Sequence, residues 1–78
     1  MAMLEAFVLI ETATSARPKA VGLLKATPEV RSAHRVTGPH DIVAIVGVVD
    51  LEALVAWIAE KVHSLPGVQK TITCVAMS

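Results

Sequence analysis

The polar and apolar positions of this chain divide it into segments of two different periods. From Ala2 to Thr12 both alternating sets are apolar, Ala6, Val8 and Ile10 on one side and Phe7 and Leu9 on the other. That pattern predicts a β-strand covered on two faces. Thr14 and Ser15 interrupt it, and Ser15 reads as the N-cap of a helix from about Ala16 to Ala26, with Pro18 in the first turn and an apolar stripe of Ala20, Val21, Leu23 and Leu24. Thr27 and Pro28 end the helix, because the residue before a proline is pushed out of the α region. Val30 to Thr37 sets Val30, Ser32, His34 and Val36 against Arg31, Ala33, Arg35 and Thr37, so neither side is strongly apolar. This suits an edge strand, where arginines discourage stray pairing.

A turn, Gly38-Pro39-His40, leads into Ile42 to Val49, which is apolar on both sides as a central strand should be. Asp50 reads as the N-cap of a second helix running to about His63, with Leu51, Leu54, Val55, Ile58 and Val62 at helical spacing and Glu52, Glu60 and Lys61 elsewhere on its surface. Ser64-Leu65-Pro66-Gly67 stops that helix. Val68 to Met77 closes the chain as a strand, placing Val68, Ile72, Cys74 and Ala76 on one side and Thr71, Thr73, Val75 and Met77 on the other. The order β-α-β-β-α-β predicts an α+β, ferredoxin-like fold: a four-stranded antiparallel sheet with two helices on one face. Two helices cover one face only, whereas the first and third strands are apolar on both. The second face is therefore expected to meet the sheet of another copy, giving a dimeric α/β barrel.

Composition sharpens that expectation. The 78 residues make a single domain, 1–78, whose small core gives marginal stability, yet 54% of them are hydrophobic and 18% charged. Burial against a second copy is the simplest outlet for the excess. Cys74 is the only cysteine, which excludes an internal disulfide and a thiol pair for a metal, and its apolar strand predicts a buried, inert thiol. His34, Arg35 and His63 have no metal-binding spacing, so neither metal nor cofactor is expected. Trp57, the only tryptophan, is expected to pack on the sheet or on a neighbouring subunit.

Seven basic and seven acidic residues give a net charge of zero, without the field that draws proteins to nucleic acid or anionic membranes. The opening MAMLEAFVLI lacks a basic n-region and is broken by Glu5, so it does not read as a secretory signal. No run approaches the ~20 apolar residues needed to cross a bilayer. The expected location is cytoplasmic, with no direct nucleic-acid or membrane partner.

Hydrogen-bonding and titratable groups are densest at the junction of the Gly38-Pro39-His40-Asp41 turn with the following apolar strand, the arrangement from which small-ligand sites are built. Gly38 and Pro39 serve any tight connection, and a glycine also lets a ligand approach backbone N–H groups. Asp41 either hydrogen-bonds its own turn or accepts a ligand ammonium. His40 is either solvated or a pH-sensitive contact. Thr71 and Thr73 share a face of the last strand, where they either pack or offer a hydroxyl.

Taken together, Gly38-Pro39-His40-Asp41, the apolar strand after it, the Asp50-led helix, and Leu65-Pro66-Gly67-Val68 followed by Thr71-Ile72-Thr73 resemble the effector-binding (RAM) domain of the Lrp/AsnC family of amino-acid-responsive transcription regulators. The resemblance implies a βαββαβ domain that dimerises through its sheets, assembles into tetramers to octamers, and binds an amino acid at contacts between dimers through the turn before the third strand. The turn residues Gly38, Pro39, His40 and Asp41 are the implied ligand-binding residues, and the reading of the last strand adds Thr71 and Thr73 as candidates. His40 stands where the family commonly has tyrosine. With Met1 only a few residues before the first strand, the chain resembles the stand-alone form of the domain, without the family's helix-turn-helix, and its implied use is mixed assembly with full-length regulators.

Two alternatives stay open at this level. One is a small dimeric α/β-barrel enzyme using His40 or His34 as acid-base group, although no nucleophile stands paired with a base at an obvious spacing and no catalytic residue is assigned. The other is an ACT-type regulatory domain, which shares the element order and amino-acid binding.

Overall fold

A computed structural model describes residues 4–77 of the chain. The elements are β1 (Leu4–Thr12), α1 (Arg17–Lys25), β2 (Val30–Arg35), β3 (Ile42–Val48), α2 (Leu51–Trp57) and β4 (Val68–Val75). Every expected element is present in the expected order; Ala2 and Met3, within the first expected strand, lie outside the described residues. The strands form one antiparallel sheet in the order β2-β3-β1-β4, so β2 is an edge strand and β3 and β1 are central.

Strand register sorts the side chains into two sets. On one face run three cross-strand rows: Val30, Val46, Ala6 and Val75; Ala33, Ala44, Val8 and Thr73; Arg35, Ile42, Ile10 and Thr71. Their central members are fully buried beneath Ala20, Val21 and Leu24 of α1 and Leu54, Trp57 and Val62 of the second helical segment, and together these make the core. On the other face two rows span all four strands, Ser32, Ile45, Phe7 and Cys74, then His34, Val43, Leu9 and Ile72, and they are flanked by the pairs Glu5–Gly47 and Glu11–Lys70. No helix covers these. Phe7 is 39% exposed and Ile72 40%, side chains that would each lose a substantial apolar area to water if covered.

The structure departs from the sequence-based expectation in four places. Ser15 does not cap α1: it lies within a 3-10 turn, Thr14–Ala16, and Ala16 occupies the N-cap position without a side-chain hydrogen bond. Pro18 in the first turn still suits the helix start, where its missing N–H costs nothing. Asp50 caps α2 as expected, its Oδ1 accepting from the Ala53 N–H at 2.8 Å. That helix does not stay α to His63, however. Ile58–Val62 is a π-turn segment, closed by the His63 N–H donating to the Ile58 carbonyl at 3.1 Å.

The apolar stripe of the second helix is also rotated. Leu54, Trp57 and Val62 are buried, whereas Leu51 is 58% and Val55 61% exposed, forming with Glu52 and Ala56 an apolar groove on the outer surface. Spacing alone could not choose between two adjacent apolar stripes; the bulk of Trp57, which gains most from burial, decides it. Leu23 of α1 is also half-exposed, with Ala20, Val21 and Leu24 facing the sheet. Finally, Cys74 is exposed rather than buried, since it lies on the uncovered sheet face.

Candidate functional site

Strand direction brings three connections to one end of the sheet. β1 and β2 run the same way and end there, β3 starts there, and β4, antiparallel to β1, starts there too. The β1–α1 connection, the β2–β3 turn and the α2–β4 connection are therefore neighbours. Two backbone contacts tie them. The Ala13 N–H donates to the Gly67 carbonyl at 2.9 Å, and the Asp41 N–H donates to the Ile10 carbonyl at 2.9 Å.

Gly67 is needed for two reasons. Its φ of 72° lies where residues with a Cβ are strained, and a Cβ built there would stand 2.5 Å from the Ala16 Cβ. Gly38 is needed for one: its φ is 118°, but no heavy atom lies within 4 Å of where its Cβ would be. The turn at Gly38 is thus open on that side. Pro39 is exposed and His40 half-buried beside it, and the turn is closed by the Val36 N–H donating to the Asp41 carbonyl at 2.9 Å.

Asp41 is the hub of this end. Its Oδ2 accepts from the Thr12 N–H at 2.9 Å and its Oδ1 from the Arg17 guanidinium at 3.0 Å. The Asp41 carboxylate is therefore engaged by the chain itself, with 22% of the side chain exposed, instead of standing open to a ligand ammonium. Any ammonium reaching it shares or displaces Arg17. Sequence reading missed Arg17, which lies 24 positions away; its signal was a cation at the start of α1, at the same sheet end as the turn.

Thr71 and Thr73 both face the helix layer from the edge strand and are half-buried. Only Thr71 reaches a cleft, of about 240 Å³, lined also by His63, Val68, Gln69 and Lys70. The Lys70 ammonium and the hydrogen-bonding side chains of His63, Gln69 and Thr71 suit a carboxylate. The Gly38–Asp41 turn lies on β3 and this cleft on β4, with β1 between them, so the predicted residues share one end of the sheet while falling into two groups. His34 lies on the uncovered sheet face and His40 on the turn, and neither lines this cleft. Among the described residues no group of three or more His, Cys, Asp or Glu could hold a metal ion, and no helix is long and apolar enough to cross a membrane.

Comparison with known proteins decides the family. The model of the Lrp/AsnC ligand binding domain matches residues 5–78. The chain belongs to that family. Among solved structures this Lrp/AsnC domain is similar to FFRP-DM1, at 34% identity and a TM-score of 0.90, over 95% of this chain and 99% of that one. It is similar to TTHA0845 from Thermus thermophilus at 33% identity and a TM-score of 0.91, over 96% and 94%. A third similar structure is the transcriptional regulator NMB0573 from Neisseria meningitidis in complex with L-Met, at 25% identity and a TM-score of 0.87, where 96% of this chain matches 50% of that one. None of the curated proteins compared with the chain matches it. As an Lrp/AsnC ligand-binding domain, the chain has its Gly38–Asp41 turn and its Leu65–Val68 connection at one end of the sheet, on either side of β1, and both are among the motifs on which the resemblance rested.

Proposed function

We propose that this domain is a non-catalytic amino-acid sensor whose ligand controls assembly. The observation that carries this reading is the convergence of the Gly38–Asp41 turn and the cleft at Thr71 on one sheet end of an Lrp/AsnC ligand-binding domain. The L-Met complex of NMB0573 supports an amino acid as the ligand class. The ligand carboxylate is received by donors of the turn's backbone or by the Lys70, His63 and Thr71 group, and its ammonium meets Asp41, whose remaining lone pairs and exposed fifth leave room for a second donor.

The uncovered rows centred on Ile45, Phe7, Val43 and Leu9 pack against the same face of a second copy, giving the dimer. Because turn and cleft are two separate groups in one chain, contact between dimers completes the site and links binding to the tetramer or octamer. A ligand shifts assembly only by as much as it prefers one state over another. In the cytoplasm, mixed assembly with full-length Lrp/AsnC regulators would carry amino-acid level to transcription without this domain touching DNA. The test is light scattering of the purified protein with and without each amino acid: one or more should change the assembly size, and a panel that changes neither size nor melting temperature removes the proposal.

A further inference from the structure

Large apolar side chains also stay exposed on the two helices, in two patches that neither the Gly38–Asp41 turn nor the cleft at Thr71 uses. One is the groove on the outer surface of α2, of about 410 Å³, lined by Leu51, Glu52, Val55 and Ala56. The other is on α1, where Leu23 is 43% exposed. Exposed apolar patches rimmed by polar groups mark contact surfaces.

Charge sets the two patches apart. Residues 50–61 carry three acids, Asp50, Glu52 and Glu60, against the single base Lys61, whereas residues 17–25 carry three bases, Arg17, Lys19 and Lys25, and no acid. Arg17 is engaged by Asp41, but Lys19, Lys25, Glu52 and Glu60 are exposed and form no ion pair among the described residues. Lys19 stands four positions before Leu23, on the same face of α1. Beside Leu23, Gly22 leaves the helix backbone open to close approach, since a Cβ there would meet nothing within 4 Å. The one charge in the lining of the α2 groove is Glu52. Two such grooves facing each other would bring like charges together, whereas α1 of another copy brings an apolar side chain for Leu51 and Val55 and an ammonium for Glu52.

We propose that the α2 groove receives α1 of a second copy, with Leu23 against Leu51 and Val55 and Lys19 paired with Glu52. Groove and knob are different patches, so the contact is heterologous and passes from copy to copy, closing as a ring or running on as a chain. One such contact is small. A sheet-face dimer presents two grooves and two knobs, and this multiplicity links dimers where single copies would not hold together. The inference thus rests on the sheet-face dimer of the proposed function but not on its effector, because α2 begins beyond the end of β3 and the Gly38–Asp41 turn lies at the start of β3.

Charge reversal tests it by sedimentation velocity at low salt with no amino acid present. Wild type should contain species larger than the dimer. Lys19→Glu and Glu52→Lys should each lose those species and sediment as the dimer, and the double variant, which restores opposite charges across the contact, should regain them. Both positions are exposed, so circular dichroism should show all three variants folded as wild type is. A wild type that stops at the dimer, single reversals that keep the larger species, or a double variant that does not regain them overturns the helix contact and leaves the sheet-face dimer standing. A monomeric wild type removes both.

Discussion

The Arg17 guanidinium donates to the Asp41 carboxylate at 3.0 Å, joining the first turn of α1 to the start of β3 across 24 positions of sequence. The other Asp41 oxygen holds the Thr12 N–H, so one side chain pins the end of β1, the start of α1 and the β2–β3 turn together. A carboxylate so placed organises the turn that the proposed function gives to the ligand, whether or not it touches the ligand itself.

Asp41→Ala removes both contacts and leaves the Thr12 N–H without its acceptor. The expected loss is about 1–3 kcal/mol, the cost of an unpaired buried donor. For a domain of this size that is a fall in melting temperature of roughly 4 °C or more, read by thermal unfolding. Arg17→Met is the informative companion: it frees the carboxylate, so if Asp41 receives a ligand ammonium, amino-acid affinity should hold or rise while stability drops. A variant that loses stability and response together would assign Asp41 to architecture alone.

Gly67→Ala should be among the most damaging single changes. It combines a left-handed backbone with a Cβ placed 2.5 Å from that of Ala16, and strain and overpacking each cost about 1–3 kcal/mol. Gly38→Ala meets no such contact and should cost only the backbone term. Denaturant unfolding of the two variants should rank them in that order; equal losses would mean that the approach at Ala16 is relieved at no cost.

The element order, the two-faced apolar strands, the edge position of β2 and the Asp50 cap were all legible in the sequence, because each rests on local period or local capping chemistry. The rotation of the second helix was not. Leu51, Leu54, Val55, Ile58 and Val62 fit one helical stripe, and the choice of Leu54, Trp57 and Val62 for burial follows from side-chain bulk against the sheet and the π-turn after Trp57. The exposed state of Cys74 was hidden too, since an apolar strand does not disclose which of its faces the helices take. At the site, the turn and Thr71 could be named, but the Arg17 contact exists only once topology brings the two segments to one end.

Leu51→Ser with Val55→Ser tests the rotated stripe. Both side chains are more than half exposed, so the double variant should change stability by no more than about 1 kcal/mol, the range of ordinary surface substitutions, whereas Leu54→Ala should cost about 2–5 kcal/mol. Urea titration separates the two, and a reversed order would restore the stripe read from spacing.

Asp50→Ala removes the acceptor for the Ala53 N–H at the head of a helix of seven residues. A loss of about 1 kcal/mol is expected, visible as earlier hydrogen exchange in α2 than in the sheet. Unchanged exchange would show that packing of Leu54 and Trp57 alone sets the helix.

A sheet face that a second copy covers, and an effector that acts through the resulting assembly, together carry the proposed function. Light scattering of wild-type protein and of Phe7→Glu, each with and without a panel of amino acids, tests both at once. Wild type should be at least dimeric and change size with one or more amino acids, while Phe7→Glu, which puts a charge at the centre of the uncovered face, should be monomeric and unresponsive. A monomeric wild type, or a Phe7→Glu variant that assembles and responds as wild type does, would contradict the account.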